Sequence, residues 1–164
     1  MADPLVGKLA LVRRIASADH GLGVLVTLGG DGRPQVSLVN AGLLPHPLSG
    51  QPCVGLVSRG DAVKLRNLRR QPQATIVFRS GWEWVAVEGA CELAGPDDSL
   101  PGLAPEQLPQ LLRDIFHAAG GRHPDLEEYD RVMAAERRAA VLLGPTRIIT
   151  NPRRSEREEP TDSG

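Results

Sequence analysis

The chain has 164 residues, 41% of them apolar and 24% charged, with a formal net charge of −1. This is the length of one domain with enough apolar material for a core, so it excludes a disordered chain and a strongly basic nucleic-acid binder. No apolar run reaches the roughly 18 residues of a transmembrane helix, and the first eight residues lack signal-peptide order, so a cytoplasmic protein is expected.

Aromatic residues make up only 3% of the chain, namely Phe78, Trp82, Trp84, Phe116 and Tyr129. The core must therefore be aliphatic, and the 18 glycines and 14 prolines imply many turns. Cys53 and Cys91 lie too far apart for a zinc-binding spacing, and read as buried reduced thiols.

In chain order, Leu5, Leu9, Val12 and Ala16 recur at helical spacing and predict a helix within residues 1–20. Gly23 to Leu28 reads as a strand. Gly29-Gly30-Asp31-Gly32 reads as a hairpin turn leading to a second strand over Arg33 to Ala41. Alternation puts Val36 and Leu38 on one face of that strand and Gln35, Ser37 and Val39 on the other. Pro45 to Gly50 is a loop and Pro52 to Ser58 a third strand. A short helix follows, with Asp61 as the expected N-cap and Pro72 as its stop.

Gln73 to Arg79 and Trp82 to Leu93 are the fourth and fifth strands. On the fifth, Val85, Val87, Cys91 and Leu93 share one face, which leaves Trp82 and Trp84 facing outward. Helices are expected over Pro105 to Ala119 and Pro124 to Arg138. A final strand is expected over Ala140 to Thr150, bent at Gly144-Pro145. Residues 153–164 are charged and read as a disordered tail, so residues 1–152 form the expected single domain. Six strands with short connections predict a mainly β fold with α: a small antiparallel barrel with flanking helices.

Motifs for classical hydrolases, nucleotide loops and metal sites are missing, and the four histidines are scattered. One segment is electrically distinct. Between Arg59 and Arg79 stand six positive side chains and one negative, in a chain whose total is −1. These charges straddle the third strand's end and the next helix, where free N–H groups and nearby cations suit a phosphate. Arg69 and Arg70 read as a solvated helix face. For Ser58 and Lys64 the spacing leaves an anionic ligand and a solvated face equally open. The outward tryptophan pair suits a subunit interface first and a flat heterocycle second.

These stretches resemble the split β-barrel proteins of the pyridoxamine 5′-phosphate oxidase-like class. The resemblance covers most of residues 10–150. It rests on the order of Gly23-Val24-Leu25-Val26-Thr27, on Asp31 to Asn40, on Lys64-Leu65-Arg66-Asn67-Leu68-Arg69-Arg70-Gln71-Pro72 and on Trp84 to Gly89. The lysine followed by Arg-Asn-Leu-Arg-Arg, and the late His123-Pro124 helix leading to Arg138, are similar to the branch that uses the deazaflavin coenzyme F420.

The resemblance implies a six-stranded split barrel of the FMN-binding type and a homodimer with cofactor sites at the subunit interface. It also implies hydride transfer from reduced F420 to a small organic substrate. Cofactor phosphate would meet Ser58 and Lys64, with Arg59 and Asn67 nearby. The ring would lie along Ser37, Val39 and Asn40, and Trp82 and Trp84 of a partner subunit would close the pocket. FMN in place of F420, or a non-catalytic F420 carrier, are the alternatives. Two features separate the chain from pyridoxamine phosphate oxidases proper. Ser37 stands about where those enzymes place a phosphate-gripping arginine, and the C-terminal part lacks their basic substrate residues.

Overall fold

The computed structural model describes residues 3–151. Its elements in chain order are α1 (Pro4–Ala18), β1 (Leu22–Leu28), β2 (Pro34–Pro45), β3 (Pro52–Ser58), α2 (Val63–Arg70), β4 (Gln73–Ser80) and β5 (Glu83–Ala94). A 3-10 turn (Pro105–Gln107) then leads into α3 (Leu108–Ala118), α4 (Leu126–Ala135) and β6 (Ala139–Thr150). The strands close into a barrel in the order β1-β2-β3-β6-β5-β4, and every pairing is antiparallel. The architecture is the expected mainly β barrel with flanking helices. The tail expected from residue 153 onward lies outside the described residues.

The barrel interior is aliphatic, as the composition requires. Leu25, Leu56, Ile76, Val85, Val87 and Val141 are all buried there around Phe78. Burying this much apolar surface is the main driving force for closure. The two end helices join the same core. From α1 come Val12, Ile15 and Ala16, and from α2 come Leu65 and Leu68. Arg14 in α1 reaches Glu83 and Lys8 reaches the carbonyl of Ile148, whereas α2 is tied to Thr27 and Leu28. The strand registers place the Arg14–Glu83 contact and the α2 contacts at opposite ends of the barrel. Helices α3 and α4 instead cover the outside of β2, β3 and β6, through a second cluster of Leu44, Cys53, Leu111, Leu112, Ile115, Tyr129 and Leu142.

Local chemistry explains where elements differ from expectation. β2 runs four residues past Ala41, because Ala41, Gly42, Leu43 and Leu44 are buried by the barrel on one face and α3 on the other. That double burial erases the alternation used to read the strand. Helix α2 begins at Val63 with Ala62 at its N-cap and no side-chain cap, and Asp61 instead pairs with Arg59 at 3.3 Å. Trp82 sits in the β4–β5 turn rather than in the strand. The 105–118 helix is split because Pro109 has no N–H to bond the carbonyl of Pro105. Asp125 caps α4, its Oδ1 accepting from the Glu128 N–H at 3.0 Å. The bend in β6 is a register shift opposite Glu88 and Gly89, with Thr146 as the extra residue.

Candidate functional site

A cleft of about 460 Å³ opens between the middle of β2 and the end of β3, beneath α3 and α4. That volume lies in the roughly 300–1,000 Å³ range of small-molecule sites. One wall is formed by Val39 and Asn40 of β2 with Val57 and Ser58 of β3. The far wall comes from Phe116 on α3 and from Tyr129 and Met133 on α4. Arg59, Lys64 and Arg138 stand at its basic end.

The fold brings these three cations together from two distant parts of the chain. Arg59 directly follows β3, and Lys64 lies in the first turn of α2. Arg138 directly precedes β6, and the β3–β6 register pairs Ser58 with Ala139, so the two basic segments meet. Gly60 permits the approach. A Cβ there would stand 2.5 Å from the carbonyl oxygen of Arg137.

The charges are differently engaged. Arg59 pairs with exposed Asp61, and Arg138 pairs with Glu136 at 2.6 Å. Neighbouring Arg69 and Arg137 are bound to Asp98 and Asp97. Lys64 has no hydrogen-bond or ion-pair partner among the described residues. Burial, and then the charge of Arg138, hold its ammonium below the usual lysine range. The buried hydroxyl of Ser58 makes only a long bond, 3.4 Å, to the carbonyl of Arg59. This donor set, over an apolar floor of Leu56, Ile115 and Phe116, suits an anionic group attached to a flat apolar body.

Of the residues expected from the sequence, Val39, Asn40, Ser58, Arg59 and Lys64 line this cleft together. Asn40 is also structural. Its Nδ2 donates to the carbonyls of His20 at 2.7 Å and Ala119 at 3.1 Å. Four others lie elsewhere in the chain's own fold. Asn67 is buried under α2, donating to Thr27 Oγ1 at 3.1 Å. Ser37 is off the cleft, its Oγ buried with no partner among the described residues. Trp84 lies in a separate groove beside α1, donating to Asn151 Oδ1 at 2.7 Å, and Trp82 is 95% exposed.

Arg138, Tyr129, Met133 and Phe116 enter the site without having been singled out for it in the sequence. Only the β3–β6 register and the packing of α3 on β2 and β3 could have revealed them. Cys53 and Cys91 do not line the cleft, and burial pushes their thiols up to about 11 and about 12. Among the described residues no cluster of metal-binding side chains occurs, and no helix is long and apolar enough to cross a membrane.

A closed six-stranded barrel with this helix order defines the class, a split β-barrel of the pyridoxamine 5′-phosphate oxidase-like superfamily. The chain belongs to the pyridoxamine 5′-phosphate oxidase family, which matches residues 12–142. Among solved structures it is similar to a pyridoxamine 5′-phosphate oxidase-related, FMN-binding protein of Nostoc punctiforme. That likeness has 17% identity, a TM-score of 0.60, and covers 95% of this chain and 88% of the other. An F420 reductase is similar at 16% identity and a TM-score of 0.53, over 78% of this chain and 88% of its own. A heme-binding protein of Mycobacterium smegmatis is similar at 21% identity and a TM-score of 0.54, over 92% of this chain and 59% of its own. At these identities the likenesses establish the fold. Their three different cofactors leave the choice of ligand to the chemistry of the cleft.

Proposed function

We propose that the chain is an F420-dependent oxidoreductase that binds reduced F420 in this cleft and passes hydride to a small organic acceptor. The observation that carries the reading is the convergence of Arg59, Lys64 and Arg138 around Ser58 at the mouth of an apolar cleft. Lys64 has no partner among the described residues, and Arg59 and Arg138 can exchange their Asp61 and Glu136 partners for acidic groups of a ligand. That suits a cofactor whose phosphate is followed by carboxylates. The Lys-Arg-Asn-Leu-Arg-Arg segment supports the same choice through its resemblance to the F420 branch.

Bound reduced deazaflavin would supply the hydride, and the protein's own part is binding and orientation. Lys64, Arg59 and the Ser58 hydroxyl hold the phosphate. Val39, Ile115 and Phe116 exclude water from the apolar body. Asn40 has both amide hydrogens engaged, so it offers the cleft only its Oδ1 as an acceptor.

The reading includes a homodimer. Helices cover the outer barrel surface over β3 and β6 but leave an apolar face on β1 and β2, where Leu22, Val24, Val36 and Leu38 are exposed. Val24 and Leu38 are paired across the two strands, so the patch is continuous. Leu38 is 69% exposed and also lines the cleft. A second copy seated on this face would therefore border the site, where its Trp82 and Trp84 could close it.

Fluorescence titration of the purified protein with F420 and with FMN tests the reading. F420 should bind, and Lys64→Ala should weaken it by about 1.5–3 kcal/mol. A yellow, FMN-loaded protein indifferent to F420 would replace this reading with the flavin one. Tight F420 binding with no turnover on any acceptor would make the chain a carrier.

A further inference from the structure

Seventeen of the chain's nineteen basic side chains are arginine, and the only lysines are Lys8 and Lys64. For gripping a phosphate, arginine is the better-suited residue. It is planar, bidentate and always charged, whereas lysine is a compact amine that can lose its proton. The cleft already holds two arginines, Arg59 and Arg138, yet position 64 carries the amine.

The surroundings of the two lysines differ. Lys8 donates one Nζ hydrogen to the carbonyl of Ile148 at 3.0 Å. Lys64 is half-buried in the cleft with no partner for its Nζ among the described residues, and no carboxylate lines the cleft beside it. The groups that share its cleft are the guanidinium groups of Arg59 and Arg138, paired with Asp61 and Glu136, and the Tyr129 hydroxyl, which donates to the carbonyl of Leu112 at 3.2 Å. Burial and the Arg138 charge both favour the neutral amine, which is the nucleophilic form.

We infer that Lys64 is a nucleophilic amine that captures phosphate-bearing aldehydes as imines inside the cleft. The phosphate would bind Arg59, Arg138 and Ser58, which hold the aldehyde carbon within reach of Nζ. The Nζ lone pair attacks that carbon, and the carbinolamine then loses water to give the C=N bond. Amine and aldehyde give imine and water, with no oxidant or reductant involved. Such a ligand occupies the same cations as the cofactor, so capture and cofactor binding exclude each other. The inference rests on the geometry of the cleft and not on which cofactor fills it.

The test treats the full-length protein with pyridoxal 5′-phosphate as the probe, traps the imine with borohydride, and quantifies each labelled peptide by mass. Label on Lys64 should exceed that on Lys8 by about tenfold or more. Pyridoxal, which lacks the phosphate, should label Lys64 about tenfold more slowly, the loss expected for one charged contact. Inorganic phosphate should protect, and Lys64→Arg should fold and lose the label. Equal labelling of the two lysines, or pyridoxal reacting as fast as its phosphate, would overturn the inference. Adding F420 separates the two readings. Selective Lys64 labelling that F420 cannot suppress sinks the cofactor assignment alone. F420 binding without selective labelling sinks the amine chemistry alone.

Discussion

Asn40 ties the rim of the cleft together, because its Nδ2 donates to the carbonyl of Ala119, the residue that ends α3, at 3.1 Å. The same nitrogen donates to the carbonyl of His20 in the α1–β1 turn at 2.7 Å. One amide thus links three segments, and an aspartate there would offer oxygen where both carbonyls require a donor. Asn40→Ala should lower stability by about 1–2 kcal/mol for two partly exposed bonds, and Asn40→Asp should cost more. Equilibrium urea unfolding measures both. Equal stabilities for Asp and Asn at this position would show that the amide nitrogen does not carry the link.

Gly42 lies beneath the same helix end. A Cβ at this position would stand 2.1 Å from the Ala118 carbonyl oxygen, which is backbone and cannot rotate away. Gly42→Ala must therefore push α3 off β2, at about 1–3 kcal/mol or more for overpacking. Gly144→Ala is the matched control. Its Cβ would find nothing nearer than 3.9 Å, so a change within about 0.5 kcal/mol is expected. Thermal unfolding of the pair gives the answer, and a Gly42→Ala protein as stable as Gly144→Ala would contradict the packing.

The contrast between β3 and β2 explains what could be read from the sequence. β3 was legible to the residue, since its apolar run is bounded by Pro52 and Ser58. The end of β2 was hidden because Ala41 to Leu44 pack against the barrel and α3 at once, and a strand buried on both faces has no alternation. The site divides similarly. Ser58, Arg59 and Lys64 are neighbours in sequence, and their local charge marked them. Arg138 joins them only through the pairing of Ser58 with Ala139, which no local pattern encodes. Asn67, which only the resemblance placed near the phosphate, turned inward to Thr27, since α2 presents that position to the barrel.

The apolar face of β1 and β2 gives a prediction about assembly. Val36 is 60% exposed and does not line the cleft, so Val36→Glu should leave the fold and the cleft intact. On the dimer reading it places a charge within the subunit contact and should yield monomers by sedimentation velocity. Trp82→Ala should unfold like the parent protein, because the side chain is 95% exposed, while cofactor affinity falls if the partner's indole closes the pocket. A Val36→Glu protein that sediments as the parent does would remove this face from the interface.

Lys64 makes the apo protein's stability depend on pH in a defined direction. Its folded-state value lies below the ordinary 10.5, from burial first and then from Arg138. The folded chain therefore binds fewer protons at this site than the unfolded chain at pH values between the depressed value and 10.5. Stability contributed by this site rises with pH across that window. Below it the folded state carries the full penalty of a half-buried ammonium near the Arg138 guanidinium. Lys64→Met, which keeps the apolar stem and removes the charge, should be more stable than the parent at neutral pH. That advantage should shrink as pH rises through the window. Phosphate should reverse the order by binding the parent and not the variant, since a ligand specific to the folded state adds stability. Melting temperatures of both proteins, with and without phosphate across this pH range, give the comparison. A parent protein more stable than Lys64→Met at neutral pH without phosphate would mean that the ammonium is already compensated within the chain.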